Sequence, residues 1–298
     1  MPVRISKINR RNRKTVKTMK TMKAVKTMKA MKTMKRKQTG GAPLKSMPQI
    51  CFGTVQANLN KTLPAAIKMG YRHIDGAEAY GPVAKSIISK ELKKIPRKDM
   101  WITWKDNGIT MEKIRRIIDK LDCSYIDLFL IHHSCGSPAD FTELKKAQAA
   151  GLIRFYGVSN CEDIEVIKKL KKEHNIYANQ IQARPPGGRV AEREPMPADF
   201  IEQCNAIGVN IMLFGTISGI SNSDNFGPII DDITNVNKYY IQKYISRMNV
   251  LMVASISGSS LQQNLDDVTF ATYGAKLLSD DTIRRIEDNL KRVQLSHQ

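Results

Sequence analysis

The first 74 residues of this 298-residue chain contain neither aspartate nor glutamate; Asp75 is the first acidic side chain. A stretch that long without a carboxylate cannot neutralise its own lysines, so it either stays solvated or meets an anion supplied from outside. Cysteine is sparse and odd in number: Cys51, Cys123, Cys135, Cys161 and Cys204, with no CxxC spacing. That set suggests neither a disulfide framework nor a metal site, and a reducing compartment is expected. No apolar run approaches the ~20 residues needed to cross a bilayer, so no membrane partner is expected. No apolar h-region follows the N-terminus, so no secretory leader is expected either.

What is present divides in two. The formal net charge is +20, yet 16 of the 48 Lys and Arg lie in residues 1–47, leaving 32 basic and 28 acidic residues, a net of +4, for residues 48–298. The expected organisation is therefore a basic low-complexity tail, 1–47, attached to an ordinary domain, 48–298. Residues 15–35 repeat the triplets TVK, TMK, TMK, AVK, TMK, AMK and TMK. A period of three steps back by about 60° per repeat on an α-helix, so neither the lysines nor the methionines form one face. Such a segment makes a poor membrane helix and no core, and is expected to be disordered when free.

Its natural partner is a polyanion, bound through phosphates without reading sequence. The candidate contacts are Lys14, Lys17, Lys20, Lys23, Lys26, Lys29, Lys32, Lys35, Arg36 and Lys37. The stretch RKQTGGAPLK, from Arg36, is loosely similar to histone-tail sequence. A merely solubilising tail and a mitochondrial presequence are the other readings. The expected location is an intracellular, nucleic-acid-rich compartment (nucleus or viral particle), with cytoplasm or mitochondrion as the alternative.

From Met47 onward, short β-rich runs alternate with helix-periodic segments. Strands are predicted at 50–54, 71–75, 100–105, 125–132, 153–159, 177–182, 209–214 and 250–255. Helices are predicted at 61–69, 83–92, 111–121, 140–149, 162–173, 198–207 and 235–247. Eight such alternations predict an α/β fold, a (β/α)8 TIM barrel. A doubly wound sheet is the rival, weakened because no GxGxxG follows the first strand.

Barrel chemistry sits at the C-terminal ends of the strands. The stretch GYRHIDGAEAYG, Gly70 to Gly81, delivers Asp75 and then Tyr80. Strand 3 delivers Lys105, and strand 4 delivers His132 with His133 beside it. Strand 5 delivers Ser159 and Asn160, strand 6 Asn179 and Gln180, and strand 7 Phe214. An acid, a phenol, an ammonium and an imidazole on one rim suit proton transfer. The ammonium would lower the phenol's pKa, the acid would hold the ammonium, and the imidazole would orient a carbonyl. None of these side chains can supply hydride, which implies a nicotinamide cofactor.

These strings resemble the aldo-keto reductase family over about residues 47–295. MPQICFGT resembles its opening strand, and GYRHIDGAEAYG the motif carrying its Asp and Tyr. ITWKDN resembles the segment with the catalytic Lys, and DLFLIHHS the one with the catalytic His, placing that role on His132. The resemblance implies a reductase of aldehydes or ketones using NADP(H) or NAD(H), with Asp75, Tyr80, Lys105 and His132 as its tetrad. It implies cofactor contacts at Ser159, Asn160, Gln180 and Phe214, at Ser218 and Gly219 in the loop after strand 7, and at Gly258, Ser259 and Asn264 within ISGSSLQQNL. Gly76 stands where the family usually has Thr, and Trp104 where it has a small residue. No Arg lies between Ile256 and Leu265. Two functions follow as expectations: an active carbonyl reductase with a polyanion-binding tail, or a DNA-associated packaging or virion protein using a reductase barrel with weak catalysis or none.

Overall fold

The computed structural model describes residues 46–55, 58–182, 199–215, 250–253 and 278–296. The whole tail, 1–45, lies outside them, as do the predicted helix 235–247 and residues 254–255 of the last predicted strand. Eight strands, all parallel, close into a barrel in chain order. They are β1 (Ile50–Gly53), β2 (His73–Ala77), β3 (Trp101–Asp106), β4 (Ile126–Ile131), β5 (Ile153–Ser159), β6 (Ala178–Gln182), β7 (Asn210–Phe214) and β8 (Val250–Val253). β1 pairs with β8 through Ile50–Leu251 and Phe52–Val253, which closes the ring. A closed parallel barrel confirms the (β/α)8 fold and removes the doubly wound alternative.

Alternation along each strand sorts the core into two layers. Cys51, Trp101, Leu128, Leu130, Ala178 and Met212 fill the barrel interior. Phe52, Ile74, Trp104, Phe129, Ile131, Ile181 and Leu213 face out and pack with the helices. Helix Met111–Leu121 shows why the helices form where they do. Thr110 Oγ1 accepts a hydrogen bond from the Lys113 amide at 3.2 Å, and Ile114, Ile117, Ile118 and Leu121 bury one stripe. Ser137 and Asp140 form a reciprocal capping box ahead of Pro138–Ala149. Helix Asp280–Ser296 lies beyond the helices predicted above. Its signals are Ser279, whose Oγ accepts from the Thr282 amide, and Ile283, Ile286 and Leu290 at helical spacing.

Two expectations need correction. β2 was predicted at 71–75 but runs through Ala77, because Gly76 and Ala77 keep pairing with Trp104 and Lys105 of β3. Alternating hydrophobicity marks a strand's faces but not where its partner ends. The expectation that the cysteines form no disulfide is overturned: Cys135 and Cys161 are joined, with Cα atoms 4.8 Å apart. They are 26 residues apart and share no motif. Two neighbouring loops, after β4 and after β5, bring them together. Among the described residues Cys51, Cys123 and Cys204 are free thiols.

At the N-terminal end of the barrel, the buried Asp127 carboxylate takes Arg97 Nη2 at 2.5 Å on one oxygen and Arg154 Nη1 at 2.6 Å on the other. The Ile102 amide adds a third bond at 2.9 Å. Below the interior residues, Trp101 stacks on Phe155 and Phe155 on Tyr177, closing the floor.

Candidate active site

At the opposite end four groups converge. β2 aims Asp75 into the barrel, and the short 3₁₀ turn Glu78–Tyr80 then carries Tyr80 over the mouth. That turn is tied to the following helix by Lys85, whose ammonium sits 2.5 Å from the Glu78 carboxylate. β3 points Lys105 inward from its penultimate position, and Lys105 Nζ donates to Asp75 Oδ2. The other Asp75 oxygen accepts from Gln180 Nε2 of β6 at 2.8 Å. Asp75, Lys105 and Gln180 are each no more than 2% exposed. The Asp75 backbone carbonyl takes the Thr54 hydroxyl at 2.7 Å.

Tyr80 leans over this pair, its ring centroid 5.5 Å from Lys105 Nζ. His132, just past the end of β4, meets the Tyr80 ring edge-on at 6.4 Å. Its own backbone amide is held by the Asp106 carbonyl at 2.9 Å. His133 stacks on His132 at 3.5 Å but is exposed, with φ at +64°. The structure thus brings together the four residues singled out from the sequence and places His133 outside them.

The electrostatics follow from burial and charge. Desolvation pushes the Lys105 ammonium pKa down, but Asp75 and Tyr80 push it up by more, so the net shift is upward. Burial raises the Tyr80 phenol, and Lys105 opposes that only in part, so its pKa also ends above the ordinary value. This corrects the sequence expectation that the ammonium would win: desolvation of the phenolate outweighs it before any substrate or cofactor enters. His132 is pushed down to about 4, by burial first and then by His133 and Lys105, and is a neutral imidazole at pH 7. Cys51, inward from β1, was not singled out from the sequence. Burial, then Asp75, raises its thiol pKa, which keeps it protonated.

One edge of the mouth suits an amide. Ser159 and Gln180 are register partners across β5 and β6. The Asn160 backbone amide donates to the Gln180 carbonyl at 2.7 Å, and Asn160 Nδ2 reaches Ser159 Oγ at 3.5 Å. A hydroxyl and two carboxamides side by side supply the donors and acceptors that the amide end of a nicotinamide needs. Phe214 ends β7, half-buried, in register with Gln182. Asn179 turns away from the mouth and donates to the Cys161 carbonyl at 2.7 Å. Ser218, Gly219, Gly258, Ser259 and Asn264 lie outside the described residues. No group of three or more His, Cys, Asp or Glu side chains suited to a metal ion occurs among the described residues, and none of their helices is long and apolar enough to cross a membrane.

Residues 49–227 match the model of the aldo/keto reductase family. An aldo-keto reductase of Mycolicibacterium smegmatis is 27% identical over 252 residues, 78% of this chain and 88% of that protein. A second one from the same organism is 33% identical over 146 residues, 45% of this chain and about half, 51%, of its own length. Among solved structures, the thermostable aldo-keto reductase Tm1743, in complex with the inhibitor epalrestat, superposes with a TM-score of 0.65 at 22% identity, covering 84% of this chain and 98% of that one.

Proposed function

The chain belongs to the aldo/keto reductase family and is an NAD(P)H-dependent oxidoreductase; on that premise we propose that it reduces aldehydes or ketones with Tyr80 as the proton donor. The observation that carries this reading is the placement of Lys105, clamped by Asp75, beneath the Tyr80 ring with a neutral His132 alongside. When bound, a reduced nicotinamide supplies the hydride that the carbonyl carbon accepts. Ser159, Asn160 and Gln180 would hold its amide. His132, neutral at pH 7, donates a hydrogen bond to the carbonyl oxygen and orients it. Tyr80 Oη gives that oxygen its proton as negative charge develops there. The phenolate left behind faces the Lys105 ammonium, which Asp75 keeps charged. Proton and hydride together convert the carbonyl to an alcohol, and the phenol is restored by a proton from solvent.

The test is a cofactor titration of the full chain by nicotinamide fluorescence, run with NADPH and with NADH, alongside turnover with a panel of reactive aldehydes. Micromolar binding with turnover supports the reading. Absence of both would sink it and favour a barrel retained for packaging.

For residues 1–47 we infer a second role, binding nucleic acid or another polyanion. The support is composition: 16 basic residues, no acid, and a lysine triplet repeat that carbonyl chemistry does not require. A nucleus or a viral particle is the compartment this role suits. Filter binding to duplex DNA should weaken steeply between about 50 and 200 mM salt. It should be lost on removing residues 1–40. Equal binding by the shortened chain would refute the tail's role.

A further inference from the structure

The Cys135–Cys161 link joins the loop after β4, which carries His132, to the loop after β5, which carries Asn160. Cys135 lies three residues after His132. Cys161 follows Ser159 and Asn160 directly. The two ends of the link are held differently. Cys161 is wholly buried, and its carbonyl accepts from the buried Asn179 side chain of β6 at 2.7 Å. Asn160 beside it is bonded to the Gln180 carbonyl. Cys135 is only half-buried, between the exposed Ser134 and the half-buried Gly136. Its loop turns through left-handed backbone at His133, φ +64°, and at Gly136, φ +83°. A Cβ on Gly136 would lie 2.4 Å from Ile131 Cδ1. Gly136 reaches its positive φ freely, whereas the conformation of His133 is one that L-residues rarely adopt and that persists where the surrounding loop is held. The sulfur bridge fastens it to the rigid β5–β6 edge.

We propose that Cys135 and Cys161 form a reversible thiol–disulfide site, a latch that fixes His132 relative to the amide-binding edge, and whose reductant is a dithiol. The step balances. A thiolate of the dithiol attacks the sulfur of the half-buried Cys135, the less buried end of the link, and Cys161 leaves as a thiolate and takes up a proton. The second thiol of the reductant then attacks its own sulfur in the mixed disulfide and releases Cys135. Two thiols are consumed and two are formed, and an oxidised dithiol or disulfide reverses the exchange. The link exists independently of the reductase reading, whereas its effect on cofactor binding rests on that reading.

The experiment uses the full chain, oxidised with glutathione disulfide or reduced with dithiothreitol. Alkylation and peptide mass mapping should show one 135–161 link and three alkylated thiols after oxidation, and five alkylated thiols after reduction. Hydrogen exchange of residues 132–137 should accelerate on reduction. NADPH affinity should weaken about fivefold or more, reversibly. Cys135→Ser should behave as the reduced protein under both treatments. Five free thiols after oxidation, or a link whose reduction changes neither exchange nor affinity, would overturn the latch. A link that controls exchange in a protein that binds no cofactor in either state upholds the latch and removes the reductase reading instead.

Discussion

The two ends of the barrel each bury a carboxylate among cations, and they use it in opposite ways. At the floor, Asp127 takes an arginine on each oxygen and a backbone amide as well. Its charge is overmatched, both guanidiniums rest over aromatic rings, and nothing is left to react. At the mouth, Asp75 meets one ammonium and one neutral carboxamide. Lys105 keeps bonding capacity toward the Tyr80 hydroxyl. A saturated ion cluster acts as a brace, while an unsaturated one at the strand ends is a site. Burial alone does not distinguish them, since both carboxylates are 1% exposed or less.

The contrast can be tested by substitution at each end. Tyr80→Phe removes the proton donor and little else, so aldehyde reduction should fall by about 10² to 10⁴ with the melting temperature unchanged; a loss of only a few-fold would deny Tyr80 its role. Asp127→Asn should do the reverse. Leaving the buried Arg97 and the half-buried Arg154 without their charge partner should cost about 3–5 kcal/mol in a urea melt, with turnover per folded molecule within about twofold of the parent. If that variant lost turnover but not stability, the assignment of floor and mouth would be inverted.

Acid should strain both ends together. Burial holds His132 at about 4 and His73 at about 3, each below an ordinary 6.5. His73 Nδ1 donates to the Pro48 carbonyl, so Nε2 must accept from Thr103, a bond a protonated ring cannot make. In both cases the unfolded chain takes the proton first. Their stability is therefore complete above about pH 6.5 and is lost as pH falls toward 4 and 3, up to about 2 kcal/mol from each by pH 5. His132→Gln should flatten the upper part of that slope. The smallest effect is expected between strands: Gly76→Ala should cost about 1–3 kcal/mol by overpacking, less in a Trp104→Leu background. The gap between the two backgrounds measures the contact.

The mouth was legible in the sequence and the floor was not. Asp75, Tyr80, Lys105 and His132 stand at or just past strand ends within strings that a family pattern identifies, and period-two alternation fixes which way Asp75 and Lys105 point. Arg97, Asp127 and Arg154 carry no such string. Their meeting depends on where three segments begin, which alternation does not locate. The sulfur bridge was missed for the same reason, since only adjacency of two loops joins Cys135 to Cys161. The net rise of the Tyr80 pKa was out of reach because it depends on how deeply the phenol is buried, a quantity that composition does not contain.

Gly76 and Trp104 are register partners on β2 and β3, and a Cβ on Gly76 would stand 2.4 Å from the indole. The indole of Trp104 thus occupies the volume that any side chain at position 76 would need, and the two positions cannot vary independently. The absent side chain is as much a part of the seam between β2 and β3 as the ring that covers it, because the strand that carries Asp75 and the strand that carries Lys105 meet across that filled gap.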